Sequence, residues 1–451
     1  MIGMYLADLN IVNVKILVGD ELIDGCISVE DGKILKIGKK PNIPRSEQTY
    51  DGNGLIAIPG LIDAHVHLRD LQLAYKEDFY TGTCAAAAGG FTTILDMPNT
   101  VPPTNTTSNL RLKIDSAKNK IVVNVGFHAG PAEDPVELQR MASAGIFSIK
   151  LYMNEASIGE VLYDSQNLTR MLREYASLKL PVTIHAEDGV EINKRMEKLK
   201  GKPLTIEEYC RIHSPDVELE AVMRILKSAE ESGVKMHLCH LTLPSSLDAV
   251  RESRLRGVDV SCEVTPHHLF LTSRDLKKIG GWALSDPPLR EPKEVQGLWD
   301  GISNLDSLIV ASDHAPHSLM EKSASDMREV KPGIPGLETT LPLLLGKVNS
   351  GDLSLRRLIE VLAEKPAEIF GLKGKGRLSE GLDADIVLID LEREHVVNLD
   401  VFHSKAKYSP FIGWRCKGDV SKVFLGGRLI FDEGEILAPP GSGSILECRP
   451  E

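Results

Sequence analysis

The sequence contains no long apolar run and no closely paired cysteines. Its apolar runs, such as Thr339–Leu345, are too short to cross a bilayer. The seven cysteines are scattered without a Cys-x-x-Cys pair, which suits a reducing compartment better than a disulfide framework. Residues Met1–Asp8 have no basic region followed by an apolar core and so do not resemble a signal peptide. We therefore expect a cytoplasmic protein.

Positive charge is also scarce. The chain has 52 Lys and Arg against 64 Asp and Glu, a formal net charge of −12 at pH 7, which disfavours binding to nucleic acid or to an anionic membrane through bulk charge. It contains neither G-x-x-x-x-G-K-[ST] nor a G-x-G-x-x-G that opens a helix, and Gly374-Lys375-Gly376 is too short to replace them. We therefore predict no nucleotide or flavin site. The composition, 42% hydrophobic and 26% charged, is that of a globular protein.

The middle of the 451-residue chain alternates between short apolar runs and helical stretches, which is typical of a parallel α/β fold. Eight such units in one run predict a (β/α)8 (TIM) barrel. The clearest helix candidates are Tyr75–Ala88, Leu168–Leu178 and Val217–Ser232. The strand candidates are Leu61–Val66, Thr92–Asp96, Val122–Phe127, Phe147–Leu151, Pro181–Ile184, Lys235–Cys239, Asp259–Val264 and Leu308–Ala311.

The two ends of the chain instead contain short segments typical of β-strands. Cys26–Val29 and Lys33–Ile37 flank a Glu-Asp-Gly turn, which indicates a hairpin. Asp385–Asp390 is a further strand candidate, and Val423–Leu425 and Arg428–Phe431 flank a Gly-Gly turn. We expect both ends to pair into one small β domain. The predicted boundaries are residues 1–55 and 371–451 for this domain and 56–370 for the barrel.

Polar residues follow several predicted barrel strands, at the ends where such barrels hold their functional residues. The first strand ends in His65-Val66-His67, and because strand side chains alternate, both imidazoles face the same way and are able to bind one divalent ion. His185, His240 and Asp313 end three later strands. A lone histidine is more often a core or surface residue, and a buried Asp313 needs a cation nearby. Together they predict a metal site at the barrel mouth.

Lys150 follows the apolar residues of the fourth predicted strand. A lysine at a barrel rim often extends its amine into solvent. The alternative is an amine that reacts with CO₂ to form a carbamate, an anion whose two oxygens can bridge two metals. The spacing alone does not choose between these interpretations.

Seven segments that span the predicted barrel in order resemble the motifs of the dihydroorotases, which are cyclic amidohydrolases. They are Gly60–Arg69, Asp96–Thr100, Lys150–Asn154, Cys239-His240, Cys262–Leu269, Ser312–His317 and Gly336–Thr339. The segment at Lys150 is similar to that of the type I enzymes with a carboxylated lysine, such as the dihydroorotase domain of the animal multifunctional pyrimidine protein. The flanking β domain fits this family as well.

The resemblance also implies roles for individual residues. Two zinc ions would be bound, the first by His65, His67 and Asp313 and the second by His185 and His240, with carboxylated Lys150 as their bridge. Asp313 would be the catalytic acid and base in the reversible cyclisation of N-carbamoyl-L-aspartate to dihydroorotate, a step of de novo pyrimidine (UMP) biosynthesis. The predicted substrate contacts are Arg69, Asn99, His317, Pro332 and Gly333.

Two features depart from the family pattern. Asp286 stands where bacterial relatives commonly have Asn, and because a carboxylate would repel the substrate carboxylate unless paired, we leave it outside the predicted site. Glu155-Ala156-Ser157 replaces the lid pair of the animal protein, so no lid is implied. Cys239 and Glu263 match residues that hold a third zinc in that protein. Since a free cysteine is often only a small buried hydrophobe, we do not predict a third ion.

Two alternatives remain open. Allantoinase and dihydropyrimidinase share the metal ligands, so only substrate contacts separate them, and Arg69 and Asn99 favour a substrate with a carboxylate. A non-catalytic relative that serves as an assembly partner is expected to lose metal ligands, which this chain retains. Besides the small-molecule substrate, the resemblance implies a second copy in a homodimer and aspartate transcarbamoylase as partners.

Overall fold

Seventeen strands form a barrel and a separate sheet within residues 6–132, 134–154 and 165–449, which the structure describes. The structure is a computed structural model. The segment Glu155-Ala156-Ser157, considered above for a lid, lies outside the described residues. The strands are β1 (Ala7–Val18), β2 (Glu21–Glu30), β3 (Lys33–Gly38), β4 (Ser46–Asp51), β5 (Ile56–Pro59), β6 (Leu61–Val66), β7 (Phe91–Asp96), β8 (Asn124–Phe127), β9 (Ile149–Tyr152), β10 (Val182–His185), β11 (Met236–Leu238), β12 (Val260–Val264), β13 (Leu308–Val310), β14 (Ile386–Val396), β15 (Arg415–Leu425), β16 (Arg428–Asp432) and β17 (Glu435–Ile436).

Strands β6 to β13 form a closed parallel barrel. β6 to β8 pair in sequence order, as do β9 to β13, and parallel bridges from Ala129 to Ile149 and from Val66 to His314 join the two groups. Every residue of β6, β7 and β10 is buried, as expected for parallel strands enclosed by helices. The predicted (β/α)8 fold is confirmed, with strand bounds that differ from the predicted ones by at most two residues.

Helices cover the outside of the barrel. Helix α1 begins at Phe79, later than predicted, because the Asp78 side chain accepts a hydrogen bond from Thr81 N (2.8 Å) and caps the helix there. Tyr75–Glu77 therefore lie in the loop after β6. None of the helices in the described ranges combines the length and hydrophobicity needed to span a bilayer. The α-helices are α1 (Phe79–Ala88), α2 (Thr107–Ala117), α3 (Pro135–Ser143), α4 (Ser165–Ala176), α5 (Gly189–Glu197), α6 (Ile206–Ile212), α7 (Pro215–Ser232), α8 (Pro244–Leu255), α9 (Pro266–Phe270), α10 (Ser273–Ile279), α11 (Pro292–Asn304), α12 (Leu337–Ser350), α13 (Leu355–Ile359) and α14 (Lys365–Phe370).

The two chain ends form one sheet beside the barrel, as predicted. Its order is β17-β16-β15-β14-β5-β1-β2-β3, with β4 paired to β1. The join between the two ends is β5, which is antiparallel to β14 and parallel to β1. The predicted boundaries after residues 55 and 370 remain predictions, and β5, directly after the first of them, belongs to this sheet rather than to the barrel.

The C-terminal part of the chain also reaches the barrel mouth. Tyr408, which follows β14 and has no exposed surface, donates a hydrogen bond to Gly333 O (3.0 Å) and accepts one from His317 N (3.2 Å). Ser404 donates to Glu77 in the loop after β6. The small β domain therefore holds loops that carry predicted substrate contacts.

Candidate metal centre and active site

A cavity of about 340 Å³ opens at the carboxyl ends of the barrel strands. Except for Lys150, all predicted site residues lie in its wall, although their individual roles remain predictions. Tyr152, Asn154 and Asp286 lie there as well without having been predicted. The lining residues are His65, His67, Arg69, Asn99, Tyr152, Asn154, His185, His240, Asp286, Asp313, Ala315, His317, Pro332 and Gly333.

His65 and His67 at the end of β6 converge on Asp313. Their Nε2 atoms lie 3.4 and 3.1 Å from Asp313 Oδ1. On the opposite edges of the rings, His65 Nδ1 donates to Glu263 and His67 Nδ1 donates to Asn99 Oδ1 (2.7 Å). In neutral imidazoles these bonds leave both Nε2 lone pairs facing the carboxylate. A cation among the three atoms fits this arrangement, and the outer hydrogen bonds are those that commonly orient metal-binding histidines.

Glu263 lies behind these histidines. One of its oxygens accepts from His65 Nδ1 and from His240 N (3.2 Å), and the other lies 3.0 Å from His237 Nε2. Burial lowers the pKa of His65, but the adjacent Glu263 charge outweighs it and raises that pKa to about 10. The site therefore favours positive charge at His65, which a bound cation would supply in place of a proton.

The buried histidines otherwise suit metal binding. Burial lowers the pKa of His67 to about 4 and, together with neighbouring His185, holds the pKa of His240 well below its usual value, so both imidazoles are neutral, the form that binds metal. His240 Nδ1 is buried without a hydrogen-bond partner among the described residues. Its ring lies 4.6 Å from that of His185. His65, His240 and Asp313 place ligand atoms within 4.8 Å of one another, and this nitrogen and oxygen donor set fits zinc.

Lys150 lies beneath the cavity rather than in its wall. The side chain has no exposed surface, and Nζ donates to Cys239 Sγ (2.9 Å) and lies 5.0 Å from the centre of the Tyr152 ring. Within the described part of the chain it has no salt-bridge partner. Since an unpaired buried ammonium is costly, a snorkelling lysine is excluded, and an amine open to carboxylation fits this position better.

A second polar network lies beside His185. His185 Nε2 is 2.8 Å from Glu187 Oε2, and His213 Nδ1 is 3.0 Å from the other Glu187 oxygen and 3.2 Å from Asp286 Oδ1. Asn154 Nδ2 donates to Asp286 Oδ2 (3.2 Å). Burial and the Glu187 charge raise the pKa of Asp286 to about 6. Asp286 is therefore a paired member of the cavity wall, which the sequence analysis left outside the site.

The sequence analysis also missed Glu187 and His213. Glu187 stands two residues after His185, the spacing that drew attention to His65 and His67, so a local signal existed. His213 follows a helix far from any predicted strand end, and only the folded chain shows its place.

Arg69 enters the cavity from a strained loop. Arg69, Asp70 and Leu71 have φ values of 59°, 46° and 49°, a conformation that costs free energy in residues other than glycine. The Asp70 carboxylate accepts hydrogen bonds from Leu71 N (2.6 Å) and Phe79 N (3.0 Å), which hold the loop. The Arg69 guanidinium is buried, and its Nε donates to Pro316 O (3.3 Å). The strained backbone at Arg69–Leu71 therefore lies where the chain directs the Arg69 guanidinium into the cavity.

A fully buried ion pair links the loops that carry Arg69 and Asn99. Lys113 Nζ on α2 lies 2.7 Å from Asp96 Oδ2 and donates to Met97 O (2.6 Å). The other Asp96 oxygen accepts from Leu68 N (2.7 Å). Asp96 and Lys113 thereby hold the residues next to both predicted substrate contacts.

Replacing Lys113 with Met is expected to lower the free energy of unfolding by about 3–5 kcal/mol, because it leaves the Asp96 carboxylate buried without its counter-charge. Urea unfolding measures the loss. Lys118→Met, which removes an exposed lysine at the end of the same helix, is the control and is expected to cost less than about 1 kcal/mol. Equal effects of the two substitutions would show that the buried pair has no special role.

Known proteins match this chain over nearly its whole length. The profile of the Amidohydrolase family matches residues 56–430. The dihydroorotase of Methanothermobacter thermautotrophicus is 39% identical over 427 residues, 94% of each chain. The allantoinase of Rubrobacter xylanophilus is 34% identical over 438 residues, 96% of this chain and 95% of that one. The solved L-hydantoinase (dihydropyrimidinase) of Arthrobacter aurescens has a TM-score of 0.92 at 30% identity and covers 98% of this chain and 100% of its own.

These matches confirm the resemblance inferred from the sequence motifs. The barrel fold agrees with it as well. The chain belongs to the amidohydrolase family.

Proposed function

We propose that this protein is a dihydroorotase, which cyclises N-carbamoyl-L-aspartate reversibly to dihydroorotate in de novo pyrimidine biosynthesis. The observation that carries the proposal is that two sets of residues line one cavity. One set consists of candidate metal ligands, and the other is Arg69, Asn99 and His317, which suit a carboxylate. Several dihydroorotases, including the 39% identical one from M. thermautotrophicus, support it.

The proposed cofactor is a pair of zinc ions. His65, His67 and Asp313 would hold one, His185 and His240 the other, and carboxylated Lys150 would bridge them. When bound, the two ions supply an activated water near neutral pH and polarise the ring carbonyl. The convergent Nε2 atoms of His65 and His67, the unpartnered His240 Nδ1 and the buried Lys150 amine support this assignment.

Asp313 is the proposed proton carrier. In ring opening its carboxylate takes a proton from the attacking water and delivers it to the ring nitrogen that leaves, and in ring closure the order is reversed. Its backbone has a φ of 44°, so the carboxylate is held at the cavity floor by a strained turn. His65 and His67, 3.4 and 3.1 Å from Oδ1, keep the pKa of Asp313 well below its usual value despite the burial that raises it.

The second set of lining residues orients the substrate. The Arg69 guanidinium presents parallel N–H groups to the two oxygens of a carboxylate, and the Asn99 amide and the His317 imidazole complete this side. Pro332 and Gly333 contribute main-chain groups. Asp286 opposes this charge less than a free carboxylate would, because Asn154 donates to its Oδ2 and His213 Nδ1 lies 3.2 Å from its Oδ1.

Replacing Arg69 with Ala is expected to raise the KM for dihydroorotate by about 10- to 100-fold, since a hydrogen bond to a charged group contributes about 1.5–3 kcal/mol. The kcat should change much less. Arg69→Lys keeps the charge but cannot donate two parallel hydrogen bonds. Its KM should therefore lie between those of the unmodified enzyme and Arg69→Ala. An unchanged KM in Arg69→Ala would contradict the substrate assignment.

The proposal is tested by measuring zinc content and ring opening on the same purified sample. Turnover of dihydroorotate with about two zinc ions per chain is the expected result. Zinc without this turnover, but with turnover of allantoin or dihydrouracil, would place the protein with those cyclic amidohydrolases instead. A sample that has neither zinc nor turnover, even after addition of metal and bicarbonate, would indicate a non-catalytic relative that serves as an assembly partner.

The assembly completes the proposal. We propose that the enzyme acts in the cytoplasm as a homodimer and associates with aspartate transcarbamoylase. Light scattering of the purified chain, alone and with aspartate transcarbamoylase, measures both associations.

A further inference from the structure

His317 lies among basic groups at the edge of the cavity. Its Nδ1 is 3.1 Å from Lys76 Nζ, and its Nε2 is 3.3 Å from Arg69 Nη2 and 3.0 Å from Pro332 O. All three side chains are buried. The Lys76 ammonium and the Arg69 guanidinium both only donate hydrogen bonds, and a neutral imidazole cannot accept from both. With its proton on Nε2 the ring accepts from Lys76 and donates to Pro332 O, whereas with its proton on Nδ1 it satisfies the Arg69 contact alone. The contacts therefore favour the proton on Nε2.

Lys76 is itself held in place. Its Nζ lies 2.8 Å from Glu321 Oε1. The Glu321 carboxylate also accepts from Ser318 N (3.0 Å) and from the hydroxyl of Tyr75 (3.1 Å). The lysine thus has a fixed partner on one side and the imidazole on the other.

The charges around His317 come from several elements. Arg69 and Lys76 face it from the loop after β6, Lys322 from the segment after β13, and Glu321 Oε2 lies 3.8 Å from Nδ1. Burial lowers the pKa of His317, and the three cations lower it further. Tyr408 also contacts His317, but its hydroxyl accepts a hydrogen bond from the main-chain nitrogen and not from the imidazole ring. The ring is therefore neutral at physiological pH, and Lys76 decides which nitrogen carries its proton.

We propose that Lys76 is a positioning residue that holds His317 in its Nε2-protonated form, so that the Nε2 proton, which Pro332 O accepts in the free protein, is available to the substrate carboxylate beside Arg69. That a carboxylate is the acceptor rests on the proposed function. The tautomer itself does not, because it follows from contacts within the protein. Without Lys76, Glu321 is the nearest partner of Nδ1, and the proton moves to that nitrogen.

The kinetic test compares Lys76→Met, which removes the donor, with Lys76→Arg, which keeps one. Above pH 8, the KM of Lys76→Met for dihydroorotate is expected to be about tenfold higher than that of the unmodified enzyme. The difference should persist down to pH 5.5, because burial and the Arg69 charge still hold the pKa of His317 well below its usual value when Lys76 is removed. The kcat should stay within about threefold, and Lys76→Arg should restore most of the lost affinity.

A purely structural role predicts a different outcome. It would raise the KM of Lys76→Met without moving the ring proton from Nε2 to Nδ1, and that result, or an unchanged KM, would overturn the proposal. The control is Lys375→Met, which removes a lysine that is similarly buried but lies at the terminal sheet, paired with Asp383 (3.0 Å) and Asp385 (2.7 Å). Its pH profile should match that of the unmodified enzyme.

Nitrogen NMR of histidine-labelled protein tests the tautomer without substrate. His317→Gln identifies the resonance. In the unmodified protein Nδ1 should have the shift of an unprotonated nitrogen, and in Lys76→Met the protonated nitrogen should be Nδ1. Protonated Nδ1 in the unmodified protein would overturn the proposal even if Lys76→Met does not fold. If dihydroorotate is not turned over at all, the proposed function fails, while this spectrum still decides the role of Lys76.

Discussion

Replacing Asp313 with Asn is expected to lower kcat by about 10²- to 10⁴-fold or more, the range for loss of a general acid–base group. The substitution removes the proposed proton carrier and one proposed zinc ligand together. Asn is the suitable replacement because Asp313 has a φ of 44°, and Asn tolerates this left-handed region better than Ala. The fold should therefore survive, which circular dichroism and thermal unfolding measure alongside the kinetics.

The matched control is Asp115→Asn on α2, where the carboxylate is exposed and activity should be unchanged. Zinc content of both variants separates the two roles of Asp313. If Asp313→Asn retained more than a tenth of the original kcat, Asp313 would not be the proton carrier.

Replacing Lys150 with Ala is expected to lower turnover by at least about 100-fold and to reduce the zinc bound per chain. The physical reason is that the proposed bridge between the two ions is lost and a space is left where the buried side chain stood. A short carboxylic acid fits such a space and offers two oxygens in the same place. Acetate or propionate should therefore restore part of the activity in a concentration-dependent way.

Lys113→Met is the control for this rescue. It removes another fully buried lysine but lies behind the substrate loops, so carboxylic acids should not improve its activity. Full activity and full zinc content of Lys150→Ala would contradict the carboxylated-lysine bridge.

The features predictable from the sequence were those with a local pattern. The eight barrel strands appear as short apolar runs, and His65 and His67 are marked by strand alternation within three residues. His185 and His240 are marked by their places at predicted strand ends, and the motif resemblance then implied that both bind the second zinc. The cavity in the folded chain unites them because parallel strands present their carboxyl ends at one face.

The contacts that tune the site could not be predicted in this way. Lys76 and His317 are 241 positions apart in the chain, and His65 and Glu263 are 198 apart. His65, Glu263 and His317 were each singled out from the sequence, but only the closure of the barrel reveals which residues pair. The surroundings of Asp286 could not be predicted either. The repulsion expected between its carboxylate and that of the substrate is offset by His213, a residue on a different loop.

The central claim is that Arg69, Asn99 and His317 select a ring that carries a carboxylate. The most direct measurement is the ratio of kcat/KM for dihydroorotate to that for dihydrouracil, the same ring without the carboxylate, on protein of known zinc content. We predict a ratio on the order of 10³ or higher, because dihydrouracil leaves the buried Arg69 guanidinium unpaired. A ratio of one or below would contradict the account.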